Sequence, residues 1–179
     1  MIPVLIYPKI TVENRRWFVF RLNCKTEWHI QGEVVNKDLE ELVAIKACEN
    51  LIAEYCHLVD FGNASAIADL FTTNGYWSGP GVEMAGQDQI RAGFSGRQSV
   101  KRRQSRHLCT NVLVQIDGDT ATSLCYLLNF RHDSQTGVAE VPAPAGLPKY
   151  VGEYHDQFVR TSKGWRFSTR RFELAFLRD

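Results

Sequence analysis

Apolar positions recur at steps of three and four through Leu42, Ile45, Cys48, Ile52, Tyr55 and Val59, which predicts an amphipathic helix with one stripe on a core. Asp38, with Glu41 three residues on, offers a capping box for its start, and Gly62 a stop at positive φ. Asn63 then caps a short second helix carrying Ile67, Leu70 and Phe71, and the turn Thr72, Thr73, Asn74, Gly75 leads into a strand through Tyr76 and Trp77. A third short helix follows Gly86, over 87–94. Beyond 105 the pattern is that of strands rich in β-branched and aromatic residues, over 106–116, 120–131, 150–161 and 165–177. The breaks at 117–119 and 162–164 are hairpin-sized, so these strands are expected to pair antiparallel with near neighbours. Residues 133–148, with three prolines and no period, form a long loop of a kind that can cover a pocket mouth. Helices first and a curved antiparallel sheet afterwards make an α+β domain, with the helices against one face of the sheet.

In 106–116 strict alternation puts Leu108, Thr110, Val112 and Val114 on one face and His107, Cys109, Asn111 and Leu113 on the other. Both faces are largely apolar. One can line a pocket against the helices, while the other needs cover, so a homodimer is expected. Residues 1–37 show no sustained period and are set apart as an extension of unknown role, whether a packed appendage, an arm or an upstream start. Residues 38–179 form the domain.

Composition narrows the partners. The chain has 179 residues, 44% of them apolar, with 21 Lys and Arg against 20 Asp and Glu, so a net charge of +1 supplies no global field for nucleic acid or anionic lipid. No apolar run reaches the roughly 18 residues of a bilayer-spanning helix. The first ten residues, interrupted by Pro3 and Pro8, make a poor secretory signal, and a cytoplasmic location is expected. Cys24, Cys48, Cys56, Cys109 and Cys125 are odd in number and form no C-x-x-C pair, which predicts free thiols rather than a disulfide framework or a zinc site. The adjacent pairs His132, Asp133 and His155, Asp156 point to opposite faces of a strand, which argues against a metal site. The basic run Arg97, Lys101, Arg102, Arg103, Arg106 reads as a solvated loop, or else as a local anion or carrier site.

The runs Ala53 through Asp60, Ala68-Asp69-Leu70-Phe71, Gly86-Gln87-Asp88-Gln89-Ile90, Arg106 through Asn111, Asp117 through Ala121, and Gly164-Trp165-Arg166-Phe167 occur in an order that resembles a SnoaL-like domain of the nuclear transport factor 2 (NTF2-like) superfamily. The resemblance covers residues 38–179 and implies a cone-shaped fold, a curved sheet wrapped around the N-terminal helices. That fold hosts dehydratases, isomerases, cyclases, oxygenase small subunits and noncatalytic binders. Scytalone dehydratase, bile acid 7α-dehydratase and lindane dehydrochlorinase use an Asp-His pair inside the cone, and this chain is similar at Asp60 and at His107, in a His-x-x-x-Asn setting that ends on Asn111. Tyr55 matches a tyrosine of the bile acid enzyme, and Arg170 falls where the dehydrochlorinase carries an arginine, although alternation along the strand favours Arg171.

The resemblance thus implies a cofactor-independent lyase, dehydratase-like, or an isomerase, acting on a small apolar cyclic or polyketide-like molecule. His107 would be the base, Asp60 its holder, and Tyr55 with Arg170 the groups that assist a departing or developing oxyanion. Tyr76, Trp77, Asn111, Tyr126, Asn129, Tyr154 and Phe158 are the candidates for the cavity wall. The alternative is a noncatalytic ligand-binding module, or the small (beta) subunit of a ring-hydroxylating oxygenase.

Overall fold

The computed structural model describes residues 27–177, with side chains from Asn36 onward. Most of the N-terminal extension, and Cys24 with it, lies outside the described residues. Helix α1 (Glu27–Asp60) is followed by a 3₁₀ segment (Ala64–Leu70), strands β1 (Phe71–Gly79) and β2 (Val82–Ala85), helix α2 (Gln87–Gln98), and strands β3 (Arg103–Asp117), β4 (Thr120–Asp133), β5 (Tyr150–Thr161) and β6 (Gly164–Leu177). The six strands form one sheet in the order β2-β1-β6-β5-β4-β3. All neighbours are antiparallel except β1 and β6, which run parallel. The fold is α+β. No helix among the described residues is long and apolar enough to cross a membrane.

α1 does not begin at Asp38. The helix is continuous from Glu27, because an aspartate inside a helix costs only a fraction of a kcal/mol and Asp38 alone cannot stop it. The buried stripe is also narrower at its start than the pattern suggests: Leu42 is 62% exposed, and the core side of α1 runs through Ala44, Cys48, Ile52, Tyr55 and Val59. Gly62 ends the helix region at φ +84°. The second helix is a 3₁₀ turn without a side-chain cap from Asn63, and Phe71 belongs to the strand that follows.

Two bulges decide which side chains face the core. In β3 the register slips between Thr110 and Leu113, with Asn111 at φ +54°. His107 and Cys109 therefore face inward before the slip, and Val112, Val114 and Ile116 after it, while Leu113 is 60% exposed on the outer face. The unbroken alternation expected over 106–116 thus fails at a single extra residue. In β6, Phe167 pairs with Phe158 and Thr169 with Gln157, so Ser168 is the extra residue. That shift puts Arg170, not Arg171, on the inner face with Trp165 and Phe167. The long loop after β4 is anchored by hydrogen bonds to the chain before β3, from Ser134 N to Arg102 O and from Ala139 N to Lys101 O. Its proline-rich part borders a separate hollow with Gln104, Arg106 and Phe130 rather than the main cavity.

Candidate active site

Asp60 is the last residue of α1, where the chain leaves the helix beside the inner face of β3. Its carboxylate is almost fully buried and accepts three hydrogen bonds: from Ser105 Oγ at 2.8 Å, from the His107 backbone N–H at 2.7 Å, and from His107 Nδ1 at 2.7 Å. Ser105 and His107 lie two apart on the strand and so share a face. The carboxylate can only accept, so Nδ1 carries the proton and the lone pair is left on Nε2. His107 lines a cavity of about 430 Å³, within the usual range of small-molecule sites, roughly 300 to 1,000 Å³.

The walls come from nearly every element. Tyr55 and Val59 of α1, Trp77 of β1, Met84 of β2, Phe94 of α2, Leu127 of β4 and Phe172 of β6 supply an apolar lining. Trp77 Nε1 donates to Tyr55 Oη at 3.1 Å, and Phe94 packs edge-on against both rings. Burial pushes the Tyr55 hydroxyl up to about 12, so it stays protonated and, with Trp77 as its donor, keeps its own O–H to give. Asn129, opposite His107 in the β3–β4 ladder, is buried at the wall, and its Nδ2 has no hydrogen-bond partner among the described residues. A buried donor without a partner is rare in native proteins and suits a ligand oxygen.

Arg170 lies behind this wall rather than in it. It is fully buried, opposite Asp156 in the β5–β6 ladder, with Nε 3.6 Å from Oδ1. Its guanidinium stacks 3.7 Å from the Tyr154 ring centroid and 4.2 Å from that of Tyr55. Burial alone would lower its proton affinity, but the Asp156 carboxylate opposite it pulls the other way, so the charge is retained. Asp156 bears the cost, and burial lifts its carboxyl to about 6 against the pull of Arg170.

Asp60, His107 and Tyr55 are thus brought together, with Trp77, Asn129 and Tyr154 at the same cavity. Other candidates lie elsewhere. Tyr76 borders a hollow of about 450 Å³ with Leu113, Leu124 and Arg171, and Tyr126 is half exposed on a strand face opposite to that of Cys125 and Leu127. Asn111 is the exposed residue of the β3 bulge, and Phe158 is a core side chain stacked on Phe167. Arg97, Arg103 and Arg131, by contrast, do line the cavity, whereas the sequence reads the first two as part of a solvated loop or of a local anion or carrier site. A hint lay in the two-residue spacing of Arg103, Ser105 and His107, which share one face of the strand. Cys48, Cys56, Cys109 and Cys125 are free thiols. No group of three or more His, Cys, Asp or Glu side chains among the described residues could hold a metal ion.

The family follows from comparison. A SnoaL-like domain model matches residues 40–171, and the chain belongs to that family. Among solved structures, an NTF2-like protein with a cystatin-like fold from Novosphingobium aromaticivorans is 25% identical, with a TM-score of 0.66 over 78% of this chain and 87% of that one. A candidate scytalone dehydratase from the same organism is 21% identical, with a TM-score of 0.65 over 78% and 89% of the two chains. The dehydrochlorinase LinA is 15% identical, with a TM-score of 0.64 over 78% and 90%. These likenesses establish the NTF2-like fold. No curated protein matches the chain significantly by sequence.

Proposed function

We propose that the chain is a cofactor-independent lyase of the dehydratase type, or an isomerase, acting on a small, largely apolar ring compound through His107 as general base. The observation that carries this reading is the hydrogen bond from His107 Nδ1 to the buried Asp60 carboxylate, at the wall of an apolar cavity. Nε2 takes a proton from a carbon next to a carbonyl, and the electron pair left behind moves onto the carbonyl oxygen. Tyr55 Oη and Asn129 Nδ2 donate to that oxyanion. Collapse of that enolate expels a β-hydroxyl, which leaves as water with the proton held on Nε2 and completes an elimination, and return of that proton to another carbon completes an isomerisation instead. The imidazolium formed on the way is stabilised by Asp60 and by the negative end of the α1 dipole, which is worth typically 0.3 to 1 kcal/mol, more where partly buried. Arg170 is a positioning residue here, holding the Tyr55 and Tyr154 rings from behind.

The test is turnover of a panel of hydroxylated cyclic ketones, followed by ultraviolet absorbance, with wild-type protein and His107→Ala. General-base catalysis contributes about 10² to 10⁴-fold, and the variant should lose at least that much. A His107→Ala protein as active as wild type removes the mechanism. Binding of the panel by wild-type protein without any turnover favours the noncatalytic alternative.

A further inference from the structure

The cavity is apolar around Tyr55 and Trp77 but cationic at one end, and this end gives the substrate a polarity. Along the inner face of β3 and β4 the ladder places His107 opposite Asn129, Ser105 opposite Arg131, and Arg103 opposite Asp133. Arg103 holds Asp133 through two hydrogen bonds, at 2.6 and 3.0 Å, and Arg131 reaches the same carboxylate from two residues away at 2.5 and 3.0 Å. One carboxylate therefore serves two guanidiniums. Arg97, from the last turn of α2, completes the end. It is half-buried, donates only to Ser105 Oγ, at 3.0 Å, and has no carboxylate in ion-pair contact among the described residues. Burial first, then the nearby Arg103 and Arg131, work against its charge, and the Asp60 and Asp133 carboxylates, neither of them in contact with it, offset this only in part. Counting Asp60 and Asp133 against Arg97, Arg103 and Arg131 leaves one positive charge in excess at a cavity wall.

Resting on the reading of this cavity as the substrate site, we propose that Arg97, with Arg103 and Arg131, forms a subsite for a monoanionic carboxylate, so that the substrate is a ring-bearing carboxylic acid. The excess of one charge suits a monoanion. Two residues of strand separate the Ser105–Arg131 layer from the His107–Asn129 layer, about 7 Å. The carboxylate therefore sits across one or two fused rings from the carbon that faces Nε2. Arg97 also ties the two sites together, since its partner Ser105 donates in turn to Asp60.

The experiment is calorimetric titration, at low salt and neutral pH, of wild-type protein, Arg97→Gln and Asp133→Asn with 2-naphthoate and with its neutral counterpart 2-naphthol. Wild-type protein should prefer naphthoate by about tenfold or more, the worth of one charge-assisted hydrogen bond. Arg97→Gln should lose most of that preference while binding naphthol as before. Asp133→Asn, which removes the competing carboxylate, should tighten naphthoate. Equal affinities in the wild type, a preference that survives unchanged in Arg97→Gln, or no naphthoate binding at millimolar concentration would overturn the subsite. The readout is binding and not turnover. A missing preference beside His107-dependent activity defeats the subsite alone, whereas an intact preference beside His107-independent activity defeats the catalytic reading alone.

Discussion

In the proposed mechanism Tyr55 joins a packing role to a chemical one. Its ring sits between Phe94 on one side and the Arg170 guanidinium on another, and its oxygen accepts from Trp77, so the hydroxyl is fixed in place before any ligand arrives. A fixed donor aimed at developing charge costs nothing to reorganise during the reaction. Tyr55→Phe keeps the packing and removes only that donor, and it should lower kcat by about 10² to 10³-fold with little change in KM. Steady-state kinetics of the variant check this, and an unchanged kcat would assign Tyr55 to packing alone. Period alone places Tyr55 on the core stripe of α1 and His107 on one face of a strand, and it is the family resemblance that joins them to Asp60 as candidates. Arg170 was not separable from Arg171, since alternation has no way to signal the extra residue at Ser168.

At the scale of elements, the bulges at Asn111 and Ser168 and the close approach at Gly152 shape the sheet. A Cβ on Gly152 would run into the Glu173 carbonyl oxygen on β6, so only glycine lets β5 bend there against its neighbour. The β5 and β6 spans follow the sequence expectation closely, and β3 and β4 extend it by a few residues at the end that holds Arg103 and Asp133. Those extra residues bring Arg103 and Asp133 to the cationic end beside Arg97 of α2 and Arg131 of β4, and they were not expected as strand because a run of charge carries no strand period. The Arg103–Asp133–Arg131 clamp also fixes a pH dependence. Hydrogen bonds from Arg103, then Arg131, hold the Asp133 carboxyl well below its ordinary value of 3.8, so its stabilising contribution is present above that value and is lost as pH falls through the folded-state value. Asp133→Asn should therefore flatten the acid limb of a thermal-stability profile while leaving the shape near neutrality unchanged. An acid limb identical to the wild type would show that the clamp carries no such stability.

For the whole molecule, the outer face of the sheet presents Leu108, Leu113, Tyr126 and Phe130 to solvent, with Leu113 60% and Tyr126 48% exposed. An apolar face of this kind predicts association, and a second copy of the same face would cover it symmetrically. Light scattering should give about twice the 20.4 kDa of one chain, and Leu113→Lys should return it toward one; a wild-type mass of a single chain contradicts the dimer. The opposite face is committed to the cavity, so pairing through the outer face leaves the site intact. Everything proposed for that site depends on which nitrogen of His107 holds the proton, and nitrogen-15 nuclear magnetic resonance reads this directly, with the signal assigned by its loss in His107→Gln. The neutral ring should carry its proton on Nδ1 in the wild type and revert to the Nε2 form in Asp60→Asn. A wild-type ring protonated on Nε2 would contradict the account, because the atom facing the substrate would then have no lone pair to accept a proton.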